Sequence, residues 1–191
     1  MIPQLKQLIH YYYNESKWSF LIRFCSVFFS LYACFIFFIG IAMPGGIIES
    51  QFLFEHFNFI QAYTDLIINT VVSSLQFIEI NAWRNGLINI KTANGGVNII
   101  YGCLAIGITC IWLSFVIALK NRLLNKLIWA IIGSLFLFAL NIFRIGLILI
   151  VQENNTKHLA IVGLDHHTLF DIACYVLLLL MGFAYYKNSQ P

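Results

Sequence analysis

Three residue types that do chemistry together, a cysteine, an arginine and a histidine, lie within or at the entrance of separate apolar runs in this chain. Cys103 lies in NIIYGCLAIGI, behind Gly102, which leaves room for a backbone or a substrate to come close. Arg144 is set in WAIIGSLFLFALNIFRIGLILIV with Asn141 one helical turn before it, on roughly the same face. His166 and His167 open GLDHHTLFD, where Asp165 can cap a helix. A thiol alone is an inert small hydrophobe. Beside an arginine and a histidine it becomes a nucleophile, because the thiolate is the form that attacks. A charge as deep as Arg144 is costly unless it faces a protein-lined or wet cavity, or snorkels to lipid headgroups. The two histidines also suit the entrance of a helix at a membrane interface. With Asp165 and Asp171 they offer metal-ligand atoms, but the spacing is unlike a zinc motif, so no metal and no cofactor is expected.

The elements that must position these residues are set by hydrophobicity. The 191 residues are 60% hydrophobic and 10% charged, with a mean hydropathy of +0.83, against roughly 25% charged in soluble domains. Such a chain lacks the polar residues to cover a soluble surface. Nothing in it suggests nucleic-acid binding; its partner by composition is the lipid bilayer. A helical span needs about 20 apolar residues, and four stretches qualify, at about 24–43, 98–119, 127–151 and 168–186. The first is too long for the core of a cleavable signal and reads as a signal anchor. Between the first two, residues 44–97 carry Glu49, Glu55, Asp65, Glu79, Arg84 and Lys91. An amphipathic or re-entrant helix over Phe59 to Ile80 is expected there. The string RNGLINIKTANGGVNI then has strand and turn chemistry.

Basic residues set the direction. Lys6, Lys17 and Arg23 precede the first span, Lys120, Arg122 and Lys126 fill the loop between the second and third, and Lys187 follows the last. The positive-inside rule makes that side cytoplasmic. Cys103, Arg144 and the histidines then converge at the outer face, from three spans of alternating direction. The expectation is an all-α polytopic membrane protein, with about four to six transmembrane or re-entrant helices and a short extended segment before the Cys-bearing span. It forms a single membrane domain over 1–191. Residues 1–23 are the cytoplasmic N-terminal segment, 24–43 the first span, 44–97 an outer-face or re-entrant region, and 98–186 a three-span core.

Order and spacing resemble the exosortase/archaeosortase family of membrane cysteine transpeptidases, over roughly residues 85–186. The matching strings are YGCLAIG for the cysteine, NIFR for an Asn-x-x-Arg, and HTLFDIACY for the histidine that opens a later span. The chain departs from the family where Leu104 and Ala105 replace a frequent small-Gly pair, and where Asp171 stands in place of a common Gly. The resemblance implies Cys103 as nucleophile, Arg144 as electrostatic stabiliser, and His167 as acid/base with His166 the alternative. It implies a three-span catalytic core in a multi-pass protein of the bacterial inner membrane, active on the outer (periplasmic) face. The substrates would be secreted proteins whose C-terminal sorting signal combines a short motif, a transmembrane helix and a basic tail. An amine or glycan acceptor would make the reaction transpeptidation, and water would make it hydrolysis. The rival readings are a non-enzymatic transporter or assembly subunit with a polar pocket around Arg144, and a thiol oxidoreductase. The latter is opposed by the scatter of Cys25, Cys34, Cys103, Cys110 and Cys174.

Overall fold

The computed structural model describes residues 18–42, 58–154 and 166–189. They form five α-helices, α1 (Trp18–Ala42), α2 (Phe59–Phe77), α3 (Ile106–Ala118), α4 (Leu123–Glu153) and α5 (His166–Ser189). Three short strands, β1 (Trp83–Arg84), β2 (Asn89–Lys91) and β3 (Gly96–Asn98), and a 3₁₀ turn over Tyr101–Leu104 lie between α2 and α3. Trp18–Gly40 and Leu123–Glu153 are long and apolar enough to cross a membrane, and Ile106–Ala118 and Ile172–Asn188 are shorter apolar helices.

The stretch expected as one span over 98–119 is broken. Its first part is the 3₁₀ turn, and Ala105 then takes a left-handed conformation (φ +53°) before α3 begins. At rises of roughly 2.0 and 1.5 Å per residue the two pieces measure about 8 and 20 Å. Neither matches the ~30 Å hydrocarbon core alone, although together they nearly do. Helix α4, at 31 residues, is about 46 Å long and outruns that core by some ten residues.

Helix α2 has clear local causes. The Asn58 side chain caps it, its Oδ1 accepting from the Gln61 N–H at 3.0 Å. Ile60, Thr64, Ile67, Ile68, Val71 and Leu75 recur at helical spacing and are buried. It stops in a Schellman arrangement: Glu79 is left-handed (φ +65°), the Ile80 N–H reaches the Leu75 carbonyl, and the Glu79 N–H reaches that of Gln76.

The strands form an antiparallel sheet in the order β1-β2-β3, with Arg84 opposite Ile90 and Ile90 opposite Val97. Asn-Gly pairs serve both turns. Gly86 has φ +82° in the first, and the Thr92 N–H closes on the Gly95 carbonyl in the second. Ile90 and Ile99 point from the sheet into a core shared with Ile67 and Val71 of α2 and Ile145 and Leu149 of α4. Polar bonds lock the sheet to both helices. Arg84 Nη2 meets Asp65 Oδ1 at 2.7 Å, and Gln61 Nε2 donates to the same oxygen at 2.8 Å. At the other end, the Asn94 N–H donates to Glu153 Oε2 and the Gly96 N–H to Gln152 Oε1, each at 3.0 Å. Gly95 permits that approach, since a Cβ there would lie 2.7 Å from Gln152 Cβ.

A second core holds the opposite end of the bundle, where Trp112, Val116, Leu137 and Tyr185 are buried together. The Trp112 indole lies across Gly133 and donates from Nε1 to the Trp129 carbonyl at 3.2 Å. The Tyr185 hydroxyl donates to the Val116 carbonyl at 3.2 Å, tying α5 to α3.

Two substitutions test this account by thermal unfolding of the detergent-solubilised protein. Gly133→Ala places a methyl inside the Trp112 ring and is expected to cost about 1–3 kcal/mol by overpacking. Ala105→Gly relieves a left-handed alanine and is expected to gain up to about 1 kcal/mol. A neutral Gly133→Ala would show that the indole has room to move.

Candidate functional site

Cys103 is the third residue of the 3₁₀ turn, and its N–H donates to the Ile100 carbonyl at 2.8 Å. Ala105 breaks the helical ladder two residues later, which sets the Cys103 carbonyl apart from the regular ladder of α3. Asn141 of α4 meets it, donating from Nδ2 at 2.7 Å across 38 residues of chain. Because Asn141 is only 2% exposed, that bond forms where water competes poorly. The same bond fixes which end of the amide is nitrogen and leaves Oδ1 as an acceptor. Among the described residues this Oδ1 has no hydrogen-bond partner.

The Cys103 thiol is half-buried, with its Sγ 3.9 Å from the Asn98 carbonyl at the end of β3, a weak thiol–carbonyl contact. Beside the turn lies a cavity of about 320 Å³. Gly102 and Ala105, which flank the cysteine on either side, contribute to its wall. Asn141 and Arg144 line it from α4, Tyr32 and Ile36 from α1, and Cys174 from α5. Arg144 is one turn beyond Asn141 and half-buried. The 3₁₀ turn, α1, α3, α4 and α5 therefore meet around one hollow, whose wall does not include Cys103 itself.

His166 and His167 begin α5, two turns or about 10 Å along the helix from Cys174. The side chains of His166, His167 and Asp171 lie outside the described residues, as does all of Asp165. Cys110 is fully buried, and all five cysteines are free thiols. Among the described residues no three His, Cys, Asp or Glu side chains gather as a metal would need.

Asn141 was legible in sequence only as a polar neighbour of Arg144. Its bond to the cysteine turn had no local signature, because the partner is a carbonyl freed by the break at Ala105. The part played by Tyr32 and Ile36 of α1, and by Gly107, was likewise absent from the sequence reading. A tyrosine in a first apolar helix and a glycine in a third carry no mark of a shared wall.

A family model described as transmembrane exosortase matches residues 19–184, a stretch that reaches into every described helix and takes in the three strings around Cys103, Arg144 and His167. No curated protein and no solved structure matches the chain. The match covers most of the sequence, and its name agrees with the apolar helices; this membrane protein belongs to the transmembrane exosortase family.

Proposed function

We propose that the protein is a membrane cysteine peptidase or transpeptidase that cleaves the C-terminal sorting signal of secreted proteins. The observation that carries this reading is the bond from Asn141 to the Cys103 carbonyl. It holds the turn bearing the thiol against the α4 segment bearing Arg144, at one cavity, in a chain of the exosortase family.

Helix geometry supports a site at the membrane edge. Arg144 lies 21 residues along α4 from Leu123, or about 32 Å at 1.5 Å per residue, close to the far boundary of a ~30 Å core. The last turns of α4, where Gln152 and Glu153 bind the sheet, then stand beyond it. Lys120, Arg122 and Lys126 around the start of α4 mark the cytoplasmic end. The reacting end is therefore the outer one, and the family resemblance implies a multi-pass protein of the bacterial inner membrane. A substrate held by its own transmembrane helix arrives laterally at this level, with its basic tail inside.

The proposed reaction begins when the Cys103 thiol gives its proton to His167. Its sulfur then attacks the carbonyl carbon of the scissile peptide. The 3.9 Å contact with the Asn98 carbonyl restrains the thiol only lightly. Negative charge moves to the carbonyl oxygen, where the Arg144 guanidinium stabilises it by about 3 kcal/mol, as one oxyanion-hole donor does. Collapse of this intermediate breaks the C–N bond. The leaving amine takes the proton from His167, and the acyl group stays on sulfur as a thioester. An incoming amine, glycan hydroxyl or water then loses a proton to His167, attacks the thioester and releases the thiolate. His166 is the alternative acid/base.

Processing of a sorting-signal protein in cells, at matched enzyme levels, tests the assignment. Cys103→Ala is expected to leave the substrate full length. Arg144→Lys keeps the charge but loses the planar fork, and is expected to slow processing roughly 100-fold, equivalent to about 3 kcal/mol. Normal processing by Arg144→Lys would remove the role given to Arg144. Asn141→Leu strands the Cys103 carbonyl and is expected to lower both activity and thermal stability, the latter by about 1–3 kcal/mol. Full activity in that variant would show that the turn holds its place without α4.

A further inference from the structure

The end of the bundle where α4 begins carries charge of one sign. Arg23 of α1, Lys120 and Arg122 of the loop between α3 and α4, Lys126 of α4 and Lys187 of α5 stand there. A bond from Asn188 Nδ2 to Asn125 Oδ1 at 3.4 Å brings the end of α5 to the start of α4. The acids stand elsewhere. Asp65 is on α2, Glu79 just after it, Glu153 in the last turn of α4, and Asp171 near the start of α5, remote from Lys187. Among the described residues no carboxylate pairs with any of the five cations.

Two of these cations meet at one corner. Phe20, almost one turn before Arg23, sets its ring edge-on to Phe115 of α3 at 5.9 Å. The Lys126 ammonium donates to the Ile117 carbonyl at 2.8 Å, one of the last-turn carbonyls that a helix leaves unpaired. Both side chains thus flank the C-terminal end of α3, and the Arg23 charge is close enough to act on the Lys126 ammonium. Both are half-buried. Like charges so placed repel, and more strongly as water is excluded. Neither group is fully used. Arg23 turns back along its own helix, Nε to the Ser19 carbonyl at 3.0 Å and Nη2 to the Ser19 hydroxyl at 3.5 Å. Donors remain on the guanidinium and on the ammonium.

Apolar side chains adjoin the pair. Ile22 beside Arg23 and Leu127 beside Lys126 are half exposed, and Leu123, one turn before Leu127, is 73% exposed. Trp18 at the start of α1 and Tyr186 near the end of α5 are exposed as well, the aromatic pattern of a membrane–water boundary. A ligand for this corner needs a negative group and apolar chains on one molecule. Inorganic phosphate offers only the first. A zwitterionic phospholipid offers both but brings its own ammonium among five cations.

We propose that the corner between the starts of α1 and α4 seats an anionic phospholipid of that leaflet. Its phosphate is shared by the Arg23 guanidinium and the Lys126 ammonium, and its acyl chains lie along Ile22, Leu123 and Leu127. The planar fork of Arg23 grips two phosphate oxygens, while Lys126 adds a point charge. Lys120, Arg122 and Lys187 add the local potential that favours an anionic headgroup. The seat ties together α1 and α4, the helices that bring Tyr32 and Arg144 to the cavity, and it is independent of the chemistry at Cys103.

The test titrates delipidated full-length protein in detergent with phosphatidylglycerol or phosphatidylcholine and reads bound lipid by native mass spectrometry. One cation near an anionic headgroup is worth about fivefold in affinity. Wild type is expected to prefer phosphatidylglycerol by about tenfold or more, and Arg23→Gln and Lys126→Gln to lose about fivefold each. The double variant is expected to keep little preference, and Lys126→Arg to keep most of it. Lys91→Gln removes an equal charge from the exposed sheet and is expected to change nothing. Each protein is compared with itself in two lipids, so a variant weakened by loss of the Ile117 contact still reports.

A wild type that binds both lipids equally overturns the seat, as does a double variant that keeps its preference. An equal loss in Lys91→Gln would reduce the effect to net charge. Displacement of phosphatidylglycerol by an equal concentration of inorganic phosphate would make the corner a free-anion site. A preference that emerges only in Glu15→Gln would assign the anion to the chain's own carboxylate. Each of these three results overturns the lipid seat as well.

Discussion

The 2.7 Å bond from Asn141 to the Cys103 carbonyl is the constraint around which the rest of the site is arranged. It exists because of a defect. A left-handed Ala105 interrupts the chain between a 3₁₀ turn and α3, and the carbonyl before the break loses its place in a helical ladder. Burying that carbonyl without a partner would cost about 1–3 kcal/mol. An asparagine on another helix supplies the donor, and with it a fixed distance between two elements 38 residues apart. Arg144 follows one turn later on α4, so the helix whose asparagine satisfies this backbone group also brings Arg144 to the wall of the adjoining cavity.

The sheet completes the frame from the other side. β3 ends at Asn98, whose carbonyl lies next to the thiol. A three-stranded sheet this short holds its position only through what it touches. The Arg84–Asp65 pair anchors one end to α2, and the Asn94 and Gly96 contacts anchor the other to α4. Exposed ion pairs add little stability in general. Their value here is orientational, while Ile90 and Ile99 supply the apolar burial. Glycine acts in two opposed ways in the same molecule. Gly95 and Gly133 let the protein close on itself, whereas a Cβ at Gly102 or Gly107 would enter open space.

Composition by itself determined that the chain is a helical membrane protein, because a chain with 10% charged residues cannot cover a soluble surface. The strings around Cys103, Arg144 and His167 were enough to place it among the exosortases. The Asn85-Gly86 and Asn94-Gly95 pairs carried their turn chemistry openly. Hydrophobicity, periodicity and turn preference are local properties, and a local reading reaches them. Only the tertiary structure decided that the run over 98–119 breaks at Ala105, since alanine gives no local sign of a left-handed backbone. It also decided that Asn141 belongs to the cysteine turn as much as to Arg144, and that Tyr32, Ile36 and Gly107 share one wall with them. These are contacts between residues far apart in sequence, made where a freed carbonyl meets a donor or where five elements fail to fill the space between them, and no single segment encodes either.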